Sequence, residues 1–228
     1  MAPKVLFVLS SHKELGNTGK TTGWYLPEFA HPYYKLEGKT DITVASPKGG
    51  EAPLDPSSVE AFKEDAESTK FLKEKGSLWK NTEKLSSFIG KADQFDAIFY
   101  VGGHGPMYDL ATDAESQQLI KEFYESGKVV SAVCHGPAAL VNVKLSDGTH
   151  LVSGQEVTAF TDAEEDQVGL SSAVPFMLET QLAANGAKIV KADAWQAKVV
   201  ASGKNGKLIT GQNPASAGPI GEAILAAL

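Results

Sequence analysis

The sequence predicts an α/β protein with a mainly parallel central sheet covered by helices on both faces. Three observations carry this reading. Short β-rich runs alternate with longer helical patterns from end to end. The runs are continuously apolar, as in strands buried on both faces. They end in small or Gly residues, and the helical patterns between them carry capping and stop signals.

Residues 4–10 (KVLFVLS) form the first strand, 41–46 (DITVAS) the second, 96–101 (DAIFYV) the third and 128–133 (KVVSAV) the fourth. Thr112-Asp113-Ala114-Glu115 reads as a capping box that opens a helix to about Glu125, closed by Gly127. Residues 172–185, closed by Gly186, and residues 214–228 are two further helices. Two stretches break the alternation. Residues 47–92 form an insertion with helical patterns at 71–75 and 78–89, expected to lie over one end of the sheet. Residues 141–158 contain Asp147-Gly148, a turn signal between short strands. With no repeat or low-complexity tract, residues 1–228 read as a single domain.

Composition narrows the function. The 228 residues carry a net charge of −7, which argues against nucleic acid and against an anionic membrane surface. The single cysteine, Cys134, rules out an internal disulfide framework and a zinc site built on several thiolates. No apolar run is long enough to span a bilayer, and the N-terminus enters a strand with no leader pattern, so a cytoplasmic protein is expected.

Residues 131–140 (SAVCHGPAAL) are the strongest chemical feature. An apolar strand runs into Cys134 and a helix is expected within two residues, with Gly136 for a tight turn and Pro137 for a first helical turn. This is the logic of a nucleophile elbow, which lifts one side chain above the carboxyl edge of the sheet. The helix N-terminus would favour a thiolate, and the neighbouring His135 supplies a base. At the end of the third strand, residues 102–106 (GGHGP) let the backbone approach a ligand and leave N–H groups free for an oxyanion.

Glu28 sits in an apolar, aromatic segment, either buried as a neutral or paired acid or exposed at a helix start. Residues 160–166 (FTDAEED) offer four acids, most of them read as a solvated helix N-terminus, one as a partner orienting His135. The five histidines, including His12, His31 and His104, show no paired ligand spacing, so neither a metal nor another cofactor is expected. Trp24, Trp79 and Trp195 read as core or lid residues.

Residues 132–137 (AVCHGP), 102–105 (GGHG) and 210–216 (TGQNPAS) together resemble the ThiJ/PfpI superfamily over essentially the whole chain. The insertion and the segment of Gly23, Glu28 and His31-Pro32 are similar to one branch of it. That branch comprises heat-shock-inducible, glutathione-independent glyoxalases (glyoxalase III) and holding chaperones of fungi and bacteria. The resemblance implies a flavodoxin-like three-layer α/β/α sandwich, as a single class I glutamine amidotransferase-like domain and a homodimer. It implies that Cys134 is the nucleophile, His135 the acid–base and Glu28 the buried acid bonded to the sulfur. Glu165 closes the Phe-Thr-Asp-x-x-Glu pattern as third catalytic member, with Glu164 leaving that register open by one residue. The N–H groups of Gly103 and His135 would form the oxyanion hole.

The activity implied is conversion of methylglyoxal to lactate without glutathione, a lyase reaction of D-lactate dehydratase type serving stress and reactive-aldehyde detoxification. Three rivals stand beside it. A cysteine peptidase or deglycase would use the same elbow. A holding chaperone would bind unfolded clients through an exposed apolar patch. A redox sensor would need an accessible thiol. A glutamine amidotransferase is a weaker reading still, because no His and Glu two apart follow the cysteine.

Overall fold

The computed structural model describes residues 2–228. Its strands in chain order are β1 Lys4–Val8, β2 Asp41–Ser46, β3 Glu83–Lys84, β4 Ala97–Tyr100, β5 Val129–Val133, β6 Glu156–Val157, β7 Lys188–Ile189, β8 Val199–Ser202 and β9 Leu208–Gly211. A 7-stranded sheet runs in the order β3-β2-β1-β4-β5-β9-β8, and β6 pairs with β7 alone. Every pairing in the large sheet is parallel except the edge pair β8–β9. The chain leaves β1 toward β2 and returns on the other side at β4, so the topological switch lies between β1 and β4. Ligands of open α/β sheets bind at the carboxyl ends beside such a switch.

The helices are α1 Leu26–Leu36, α2 Pro56–Ala61, α3 Ala66–Glu74, α4 Gly76–Lys80, α5 Ala114–Glu125, α6 Asp162–Gln167, α7 Leu178–Ala184 and α8 Ala217–Ala227. Successive strand side chains point to opposite faces. Leu6, Val8, Ile98 and Tyr100 therefore join the core under α5 and α7, with Leu119, Ile120, Phe123 and Leu182. Val5, Phe7, Phe99 and Val101 join the other core, with Phe29 and Leu36 of α1, Phe71 of α3 and Ile224 of α8. This is the flavodoxin-like sandwich, and the strands expected from their apolar runs all occur.

Several predicted boundaries move. The cap of α5 is Asp113, accepting from the Ser116 N–H at 2.7 Å, and not Thr112. The expected helix over 78–89 breaks into α4, the short β3 and a 3₁₀ turn at Leu85–Phe88, because Thr82 turns inward to bond Ser46 and Gly50 at the sheet edge. The helix over 172–185 begins only at Leu178. Pro175 lacks an N–H and disfavours helical backbone at the residue before it. The Asp147-Gly148 turn is present, closed by the isolated Lys144–His150 bridge and not by strands. The helix expected after Cys134 is a single 3₁₀ turn, Gly136–Leu140.

The insertion packs α2 and α3 against α1 and brings residue 54 into bridge contact with Trp24. It thus stands beside the carboxyl edge of β1 and β4. Among the described residues, no helix is long and apolar enough to cross a membrane.

Candidate active site

Cys134 follows β5 directly and takes φ +60°, one of three non-glycine residues in the left-handed region among the described residues. Two backbone bonds hold it there: its N–H donates to the Gly211 carbonyl at 2.9 Å, and its carbonyl accepts from the Phe160 N–H at 2.9 Å. Gly136 must follow closely, since a Cβ there would lie 2.5 Å from the Tyr100 carbonyl oxygen. The elbow is therefore a strained turn fixed by its neighbours on both sides.

The thiol meets two partners. Its sulfur lies 3.5 Å from His135 Nδ1. Glu28, fully buried near the start of α1, reaches the same spot, so that a Cβ on Gly102 would stand 2.2 Å from its Oε2 and 2.9 Å from the Cys134 Cβ. Neither carboxyl oxygen has a hydrogen-bond partner of good geometry. Burial pushes Glu28 well above the usual carboxylate range, offset in part by its closeness to the Cys134 thiol. Burial also pushes the Cys134 thiol well up, with the Glu28 carboxyl adding to it. The helix N-terminus expected to favour a thiolate is a short 3₁₀ turn, with little dipole to offset that burial. Of the two readings of Glu28, the structure shows the buried acid and not the exposed one.

His135 is buried, and its Nε2 lies 2.5 Å from Glu165 Oε2. The other oxygen of Glu165 takes His104 Nε2 at 2.7 Å. Of the two glutamates, Glu165 faces the imidazole, while Glu164 turns away. Burial would raise Glu165, but the facing imidazoles of His135 and His104 hold it below the usual carboxylate range. Burial, with His104 close by, drives His135 down to about 4, so the ring is neutral at pH 7. With its proton on Nε2 toward the carboxylate, the ring presents the Nδ1 lone pair to the sulfur.

Glu164 is fully buried as well, contrary to the expectation of a mostly solvated acidic run. Its Oε2 accepts from the N–H and hydroxyl of Thr161 in a capping box. Its Oε1 accepts from the Trp195 N–H at 2.8 Å and from Asn213 Nδ2 at 2.8 Å. It joins α6 to two distant loops. Trp195, at φ +68°, is held over the site with its ring 5.7 Å from Phe160, which lies 4.4 Å from the His135 ring. Trp79 of the insertion packs on the buried Trp24, with the rings 5.7 Å apart.

These residues open on a cavity of about 300 Å³ lined by Gly103, His104, Cys134, His135, Phe160 and Trp195, with Asp55 and Ser57 from the insertion. Neither the Gly103 nor the His135 N–H has a partner among the described residues. Gly103 takes φ +99°, and a Cβ there would meet the Gly23 carbonyl oxygen at 2.3 Å. His104 was legible only as part of a Gly-rich loop, since nothing in its spacing ties it to residue 135 or 165. Its imidazole, that of His135 and the Glu165 carboxylate place ligand-type atoms within 4.8 Å of one another.

The profile of the DJ-1/PfpI family matches residues 27–227. The chain is 33% identical over 223 residues to a Schizosaccharomyces pombe protein named glutathione-independent glyoxalase hsp3102, covering 92% of this chain and 90% of that one. Among solved structures, it is similar to Rapid Encystment Protein 24 KDa of Francisella tularensis, with TM-score 0.91 and 39% identity over 99% of this chain and 98% of that one. Glyoxalase III of Candida albicans aligns with TM-score 0.88 and 31% identity over 99% of this chain and 97% of that one. An elbow cysteine at the carboxyl edge of a flavodoxin-like sheet, one strand from its switch point, and this extent of likeness lead to one conclusion: the chain belongs to the DJ-1/PfpI family.

Proposed function

We propose that the protein converts small 2-oxoaldehydes, methylglyoxal first among them, to 2-hydroxy acids without glutathione. The observation that carries this reading is the chain Cys134–His135–Glu165 opening on a small cavity beside two free N–H groups. The names of the relatives, glutathione-independent glyoxalase and glyoxalase III, support the same reading. A cavity of about 300 Å³ has room for a three-carbon substrate.

The chemistry follows from the proton positions. The Cys134 sulfur adds to the aldehyde carbon as the thiol proton passes to His135 Nδ1, 3.5 Å away. The oxyanion accepts from the Gly103 and His135 N–H groups, then takes the proton back from the ring. Neutral again, His135 removes the hydrogen on that carbon, giving an enediolate, and returns it to the neighbouring carbon as the hydroxyl proton passes from the first oxygen to the second. The product is a thioester on Cys134, and water releases lactate. Glu165 holds the imidazole in the tautomer this needs and stabilises its cationic form. Glu28, protonated, gives the sulfur a neutral partner where a carboxylate would oppose the developing thiolate.

A glutathione-free methylglyoxal assay with chiral analysis of the product is the test. Wild type should form D-lactate and Cys134→Ala should fall to background; full activity in Cys134→Ala would falsify the reading. The chaperone alternative has no comparable support. Two of the exposed large hydrophobic residues, Val168 and Trp195, belong to the cavity wall and not to a separate patch.

A further inference from the structure

His104 and His135 are far apart in sequence and on different strand ends, yet their rings lie 4.0 Å apart between centroids. One carboxylate bridges them, Glu165 Oε1 to His104 Nε2 at 2.7 Å and Oε2 to His135 Nε2 at 2.5 Å. Ligand-type atoms of all three residues fall within 4.8 Å of one another. Two imidazole nitrogens and one carboxylate are the donor set of a three-ligand zinc site with an open fourth position. Mg²⁺ and Ca²⁺ prefer all-oxygen surroundings and are disfavoured by the two nitrogens. The side chain of His104 is 12% exposed and lines the cavity, which gives an ion a route in and water a place at the fourth position.

From this geometry we propose that the catalytic centre binds one Zn²⁺ through His104, His135 and Glu165, and that the ion inhibits the enzyme. To ligate, each imidazole must present its Nε2 lone pair, which moves the ring proton to Nδ1. In His135 that nitrogen is the one facing the Cys134 sulfur at 3.5 Å. A metal-bound His135 therefore keeps a proton where it must accept one, and the thiol cannot be deprotonated. Zinc would also end the hydrogen bonds through which Glu165 orients the ring. Cys134 itself is not a ligand in this arrangement. The inhibitory consequence rests on the proposed reaction; the binding does not.

The test uses chelator-treated full-length protein and Zn²⁺ alone, with binding measured by titration calorimetry apart from turnover. Wild type and Cys134→Ala should each bind one ion with similar affinity. His104→Ala and Glu165→Gln should weaken binding by at least about 100-fold, because each removes a ligand. Co²⁺ in place of Zn²⁺ should give visible bands of a low-coordinate N/O site without sulfur-to-metal charge transfer. This spectrum needs no variant and decides the ligand set even if His104→Ala does not fold. In the activity assay Zn²⁺ should inhibit and EDTA restore. The proposal is overturned by the absence of stoichiometric zinc in wild type. Binding lost in Cys134→Ala, a thiolate charge-transfer band, or unchanged affinity in folded His104→Ala would each overturn it too. A chain that binds zinc in this way but forms no lactate would sink the glyoxalase reading and leave the site standing.

Discussion

Burial raises both Cys134 and Glu28, and a charge on either would oppose a charge on the other. The proton balance of the site therefore falls to His135. In the proposed reaction the imidazole must be neutral to take the thiol proton, so the acid limb of kcat/KM should lie near the depressed value of about 4 and not near the ordinary ~6.5. A pH–rate profile with its acid limb at ~6.5 would contradict this. The same shift bears on stability with a defined sign. A histidine buried neutral leaves the unfolded chain binding more protons between the two values, so its contribution is complete above ~6.5 and lost as pH falls toward about 4. Glu28→Gln keeps a neutral donor of the same shape and should lower kcat/KM by less than about tenfold, whereas Glu28→Ala should cost more. The sequence made Cys134 and His135 legible through the elbow, and Glu28 through its apolar surroundings. It could not distinguish Glu164 from Glu165, because adjacent helical residues point about 100° apart and only the placement of α6 decides which meets His135.

At the scale of elements, α6 has 6 residues and is too short to be stable alone, so its capping box and the partners of Glu164 define it. Thr161→Ala should cost about 1 kcal/mol in denaturant melts and, by loosening Glu165, lower kcat more than it raises KM. Glu164 had looked like a solvated acid because carboxylates at helix starts usually face water; here two loops from later in the chain close over it. The loop at Trp195 separates the catalytic cavity from a neighbouring groove of about 430 Å³ that shares Tyr25, Trp195 and Pro214. Trp195→Gly removes that wall and relieves a left-handed tryptophan. It should raise kcat/KM for phenylglyoxal relative to methylglyoxal by at least about tenfold, and an unchanged ratio would show that the wall does not set substrate size. The strands β1, β2, β4 and β5 were readable as unbroken apolar runs. The edge pair β8–β9 was not, since its runs are short and separated by a Gly-rich turn.

Across the whole molecule the sheet divides the interior into two cores that share backbone but not side chains. Ile120 in one and Ile224 in the other are both fully buried. Ile120→Val and Ile224→Val should each cost about 1 kcal/mol, and the double variant should show their sum within ~0.5 kcal/mol. A larger coupling would mean that the sheet transmits packing strain between its faces.

The conformation of Cys134 depends on Gly211 and on Phe160, which belong to parts of the chain made well after it. Contacts of such sequence separation are among the last to form in refolding. The protein should thus regain its helical signal before its chemistry. In a stopped-flow experiment, far-UV ellipticity should recover ahead of enzyme turnover and of the native rate of Cys134 alkylation. During that interval the sulfur sits in a sheet already half built, without the turn that aims it.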